Sequence, residues 1–318
     1  MRFKRKIAIL LFCLLFIGFT TLSNATQIEA IENKLVSKGK GAPVDKTNAV
    51  IHNHSNLSVT KPFLKTKLIS HAMGEIEGHY YTNSLEAFLN SYYSKGSRVF
   101  EVDFELTLEG ILVARHDWRV SYAEHLRQTP ETPIDNKPWT YDYFMKQSIN
   151  KKYTPLDING IIQLLIFYPD ITIVTDTKHL DPVNIKKQFS QIIKSAHYDP
   201  AILNRIIPQI YNQEMLTTVN NVYKFENIIY TLYSSPDNTE QVLNFVKDNV
   251  NQIKAVTIPS SRVNRNFIDK LHNLNVSVYT HPIWNIEKLI YFYKMGVDGF
   301  YSATISKKEM DEIVSLFP

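Results

Sequence analysis

The 318-residue chain has one cysteine, Cys13, and it sits inside an N-terminal apolar run. The rest of the chain therefore has no disulfide framework and no thiol chemistry. It also lacks an excess of charge of one sign. The formal net charge is +4, but residues 1–25 hold four basic side chains and no acidic one, so residues 26–318 are balanced. Nothing in that balance argues for nucleic acid as a partner. The one long apolar stretch, Ile7–Phe19, is short for a membrane span, which needs about 20 residues. No glycine-rich loop follows any candidate strand, which weakens the case for an open nucleotide-binding sheet.

The N-terminus has the parts of a secretory signal peptide. Arg2, Lys4, Arg5 and Lys6 precede the apolar run, and Ser23-Asn24-Ala25 offers a small-x-small cleavage site. An exported protein (periplasmic, secreted or at the cell surface) is expected, with a retained N-terminal membrane anchor as the alternative. Residues 26–64 are polar and read as a linker, with His52 and His54 as exposed loop residues rather than ligands.

From residue 65 to 318, short apolar runs alternate with amphipathic ones. The candidate strands are 68–70, 98–107, 171–177, 206–211, 228–233, 255–259, 276–280 and 299–302. The candidate helices between and after them are 84–93, 158–167, 183–195, 213–222, 239–250, 262–274, 286–295 and 307–316. Strict alternation predicts a parallel sheet with crossover helices. Eight units in about 250 residues predict closure into a (β/α)8 TIM-type barrel. Residues 117–153 interrupt the alternation as an excursion near the barrel mouth.

Catalysis in a barrel sits where the strands end, and polar residues collect there. The first strand ends at His71. The second carries Glu101 and Asp103, which share a face. The third ends at Asp176 and Lys178. Three converging carboxylates repel, and one hard divalent cation, Ca²⁺ or Mg²⁺, would relieve that cost. The competing reading pairs Glu101 and Asp103 with Arg98 or Arg115. A turn centred on Gly110 brings His116 back towards His71. Two histidines beside a metal suit phosphoryl chemistry, one taking a proton and the other giving one. Lys178 would contact the phosphate. Gln209, Tyr211, His281 and Trp118 are candidate substrate contacts.

These motifs occur in a telling order: His71-Ala72-Met73-Gly74, Asn83-Ser84-Leu85-Glu86-Ala87-Phe88, Glu101-Val102-Asp103, Leu106-Thr107-Leu108-Glu109-Gly110, His116-Asp117 and Gly296-Val297-Asp298-Gly299. The order resembles the glycerophosphodiester phosphodiesterase family, within the superfamily of phosphatidylinositol-specific phospholipase C-like barrels. The resemblance covers about residues 65–305. It implies a metal-dependent phosphoric diester hydrolase, with His71 and His116 catalytic and Glu101, Asp103 and Asp176 on the metal. The substrate would be a glycerophosphodiester or a lipid-derived phosphodiester.

Some positions depart from the family pattern. Ala72 stands where the family has an arginine, and an Asp-x-Lys replaces Glu-x-Lys at 176–178, as in the sphingomyelinase D-like branch. Ala72 implies a preference for a bulkier substrate, with Lys178 carrying more of the phosphate contact or with Arg119 or Arg127 replacing the missing one. An exposed aromatic rim from Trp118, Trp139, Tyr141 and Phe144 would favour a phospholipase C- or D-like enzyme on intact membrane lipid, with peripheral membrane contact. A non-catalytic phospholipid-binding protein is the remaining alternative. The oligomeric state is not legible. If the leader is cleaved, N-terminal sequencing of the exported protein begins near Thr26; an intact residue 1–25 segment in a membrane-assembled protein favours the anchor.

Overall fold

The computed structural model describes residues 62–317. The leader and the linker up to residue 61 lie outside the described residues. Eight parallel strands close on themselves: β1 (Leu68–Ser70), β2 (Val99–Leu106), β4 (Thr172–Asp176), β5 (Ile206–Ile210), β6 (Ile228–Thr231), β7 (Ile253–Pro259), β8 (Ser277–His281) and β9 (Gly299–Ser302). Pairings of β1 with both β2 and β9 seal the barrel. The expected (β/α)8 barrel is therefore present. The short strand β3 (Leu112–Ala114) lies antiparallel on the far end of β2, and the turn through Gly110 joins the two as the hairpin reading required.

The strands read as unbroken apolar runs because both faces are covered. All eight residues of β2 are buried, charged ones included. The helices that follow the strands begin alike. Ser84, Asp157, Asp181, Asn212, Asn238, Asn264, Asn285 and Ser306 each accept a hydrogen bond from a backbone N–H of the first turn. Such caps satisfy donors that the helix leaves unpaired. Each cap also fixes the strand-to-helix loop on which site residues ride. No described helix is long and apolar enough to cross a membrane.

Residues 117–153 do form an excursion, with two short helices at Val120–His125 and Tyr141–Lys146. Its rings turn inward. Trp118, Trp139 and Phe144 are 4%, 1% and 0% exposed and pack with Val113 and Ala123. Tyr141 is partly buried, and its hydroxyl donates to Asp157. The exposed aromatic rim that would favour action on intact lipid is therefore not formed by these four residues. The reason is Arg115, whose guanidinium lies 4.4 Å from the Trp139 ring centroid, 4.8 Å from Trp118 and 5.1 Å from Tyr122. It donates to the Asp117 carbonyl at 2.6 Å and to Gln128 Oε1 at 2.7 Å. A buried cation needs such partners, and the excursion's aromatic rings supply them.

The ordered barrel starts before residue 65. Phe63 is 1% exposed and joins Ile69, Val99, Val174, Ile207, Ile229 and Ala255 in a core cluster. The Tyr279 hydroxyl ties this lead-in to the barrel by donating to the Phe63 and Thr66 carbonyls, at 3.0 and 2.8 Å. Phe63→Ala is therefore expected to cost about 3–5 kcal/mol, read from denaturant unfolding. An unchanged midpoint would mean that this lead-in segment does not support the barrel.

Candidate active site

The strand register sets three carboxylates together. Asp103 on β2 stands directly beside Asp176 on β4, and Glu101 lies two residues back on the same face of β2. Ligand atoms of Glu101, Asp103 and Asp176 lie within 4.8 Å of one another, and all three residues are buried. The rival ion pairs are absent. Arg98 pairs with Asp170 at 2.7 Å, and Arg115 is held by the excursion.

Positive charge reaches the triad from Lys178, whose ammonium lies 2.7 Å from Asp103 Oδ1 and also pairs with Asp176. Burial alone would raise the Asp103 pKa, but Lys178 and the two histidines hold it below the usual carboxylate range. Glu101 moves the other way. Burial pushes its pKa well up, and the neighbouring charges of Asp103 and Asp176 add to the rise. Burial likewise raises Asp176 against the pull of Lys178. One lysine is too little positive charge for three buried acids.

Glu101 Oε1 and Asp176 Oδ1 are buried and have no hydrogen-bond partner. Buried oxygens without partners are costly. Three converging carboxylates with open oxygens fit a hard divalent cation. The remaining oxygens are held in place. Glu101 Oε2 accepts from the Ala72 N–H at 2.7 Å. Asn83 donates to Asp103 Oδ2 at 2.8 Å and accepts from the Asp103 N–H at 3.1 Å.

The chain after β1 turns sharply to make this fit. Ala72, Met73 and Gly74 have φ of 48°, 65° and 98°. A Cβ at Gly74 would meet Ser91 Oγ at 1.9 Å, so only glycine passes there. The turn leaves His71 Nε2 3.9 Å from Glu101 Oε2. Burial drives the His71 pKa down to about 3, so the ring is neutral near neutral pH.

His116 arrives from the hairpin's return arm. The Arg115 N–H donates to the Asp103 carbonyl at 2.9 Å, tying the arm to the ligand strand. His116 Nδ1 lies 2.8 Å from Asp117 Oδ2. Arg119 donates to the same Asp117 carboxylate at 2.9 Å through Nε. After the opposing effect of burial, these bonds hold Asp117 far below the usual carboxylate range. Arg119 is thereby committed to orienting His116's partner. Arg127 is exposed.

The structure thus gathers His71, His116, Glu101, Asp103, Asp176 and Lys178 at one mouth, with His281 beside them at the end of β8. Burial, with the charge of Lys178 adding to it, lowers the His281 pKa to about 4. Its ring contacts Tyr233 and Tyr301. The other three candidate substrate contacts are buried and bonded within the protein. Trp118 is buried in the excursion, and its indole N–H donates to the Leu106 carbonyl. Gln209 is buried and accepts from Tyr301 at 2.9 Å, and buried Tyr211 accepts from Tyr233 at 3.2 Å. Sequence reasoning gave no role to Asn83 or Asp117, and gave Arg115 only the rival pairing with the carboxylates. Asp117's adjacency to His116 was the available signal for one of them.

Comparison with known proteins accords with this arrangement. The model of the glycerophosphoryl diester phosphodiesterase family matches residues 76–305. No curated protein sequence gives a significant match. Among solved structures, the chain is similar to a glycerophosphodiester phosphodiesterase from Parabacteroides distasonis. The match has a TM-score of 0.61 at 14% identity and covers 80% of this chain and 99% of that one. An Oleispira antarctica phosphodiesterase solved in complex with the product sn-glycerol-3-phosphate gives a TM-score of 0.62 at 12% identity, covering 80% and 98%. A glycerophosphodiester phosphodiesterase from Thermotoga maritima gives 0.54 at 14% identity, covering 79% and 98%. At these identities the solved structures speak for the fold, and the family model, matching over two thirds of the sequence, assigns the chain to the glycerophosphoryl diester phosphodiesterase family.

Proposed function

We propose that this chain hydrolyses glycerophosphodiesters to a glycerol phosphate and an alcohol, using one divalent cation and the histidine pair. The observation that carries this reading is the buried Glu101–Asp103–Asp176 triad, with two unpartnered oxygens, lying beside His71. These three residues would hold Ca²⁺ or Mg²⁺. When bound, such an ion offsets charge on the phosphate and favours attack at phosphorus. Lys178 adds a second positive charge at the same mouth.

His116 is the proposed general acid. The Asp117 carboxylate at Nδ1 orients its ring and fixes which nitrogen faces the substrate. His71, with no such carboxylate partner at hydrogen-bond distance, is the proposed base. It takes a proton from the attacking water while the new P–O bond forms. The P–O bond to the alcohol breaks, and the leaving oxygen takes the proton of His116. One water is consumed. The glycerol phosphate product has the chemistry of the sn-glycerol-3-phosphate found with the Oleispira antarctica enzyme.

Action on intact membrane lipid would draw on aromatic rings that are in fact buried, so it has no separate support. A purely binding role is disfavoured because the acid, base and metal candidates all stand together. The leader motivates an extracytoplasmic site of action.

Two measurements test this reading. A divalent cation at about 100 times its Kd should stabilise the native chain by about 2.7 kcal/mol, read as a rise in Tm. Glu101→Gln and Asp103→Asn should lose both the rise and the turnover. Full activity in excess chelator would exclude the cation. Separately, His71→Ala and His116→Ala should each slow glycerophosphocholine hydrolysis by about 10²–10⁴-fold. An aryl phosphodiester, whose phenolate leaves without a proton, should recover much of the rate in His116→Ala and none in His71→Ala. Equal recovery in both variants would reverse or dissolve the assignment.

A further inference from the structure

Tyr81 sits between the two histidines. Its ring centroid is 5.2 Å from His71 and 5.7 Å from His116, in edge-to-face contact with each. A third edge contact, at 6.0 Å, is made to the half-exposed Trp284 after β8. The backbone pays for this position, because Tyr81 has φ 59°. A bulky side chain rarely adopts that conformation, and such strain gathers at functional sites. The Tyr122 hydroxyl holds the turn by donating to the Tyr81 carbonyl. Tyr122 in turn stacks beside His116 and Arg115.

Three other donors at the mouth are committed. The Ala72 N–H serves Glu101, Lys178 serves Asp103 and Asp176, and Arg119 serves Asp117. The Tyr81 hydroxyl donates to none of the described residues. Burial, then the charges of Asp103 and Glu101, raise its pKa, so the phenol keeps its proton and remains a donor.

We propose that Tyr81 is a substrate-binding residue whose phenol hydroxyl donates to a non-bridging oxygen of the phosphate lodged between His71 and His116. This rests on the reading of the mouth as a phosphodiester site. A neutral donor suits the place. It grips the phosphate anion without adding a cation that would compete with the metal for the triad.

Tyr81→Phe removes the hydroxyl and keeps the ring, whereas Tyr81→Leu removes both. The measurements are calorimetric binding of sn-glycerol-3-phosphate in the presence of Mg²⁺ or Ca²⁺, and kcat/KM on glycerophosphocholine. Tyr81→Phe should weaken binding and lower kcat/KM by about ten- to a hundredfold, with the cation-induced rise in Tm unchanged. A Tyr81→Phe variant that binds and turns over like the native chain, with Tyr81→Leu alone impaired, would make the residue a spacer and overturn the proposal. A native chain that neither binds the product nor hydrolyses any phosphodiester would overturn the proposed function, and the role of Tyr81 with it.

Discussion

Mutual repulsion among Glu101, Asp103 and Asp176 is the constraint around which the mouth is built. With ligand oxygens within 4.8 Å of one another, each ionised pair repels by at least about 3 kcal/mol at an effective dielectric constant near 20. The surroundings answer that cost piece by piece. Lys178 lies against two of the acids, the Ala72 N–H meets the third, and Asn83 clasps Asp103 from both its side-chain ends. The left-handed turn at residues 72–74 exists to bring that Ala72 N–H to Glu101. The charge that these groups leave uncompensated is what the proposed cation would neutralise.

The barrel supplies this geometry through register. Parallel pairing puts Asp103 and Asp176 side by side, and a slip of one residue would turn either away. Continuous burial of β2 keeps the register from slipping, since all of its residues have fixed neighbours. The capped helix starts then hold the loops, so that the candidate catalytic side chains stand on rigid supports.

Much of this was legible in the sequence for a physical reason. Parallel strands buried on both faces leave unbroken apolar runs, and crossover helices leave a 3.6-residue stripe. Carboxylates inside such a run, as at Glu101 and Asp103, announce themselves because burial without a partner is costly. What did not show was direction. Composition counts the rings of Trp118, Trp139 and Phe144 but does not say that Arg115 would draw them inward. Nor does a tyrosine in a loop disclose a positive φ, so Tyr81 passed unnoticed. The part played by Phe63 was hidden for a related reason. Phe63 lies in a polar stretch with no periodicity to mark it, yet it packs into the barrel core.

The solvation of Arg115 by aromatic faces and carbonyl oxygens has a consequence for kinetics. Counterions do not penetrate a guanidinium that is 1% exposed, and buried charges are screened far less than surface ones. Its grip on the Asp117 carbonyl is therefore indifferent to dissolved salt. Screening reaches the His116 side of the mouth instead through the Arg119–Asp117 pair, where Arg119 is 51% exposed. A dependence of the rate on ionic strength then enters through that outer pair or through the approach of the substrate, and not through Arg115.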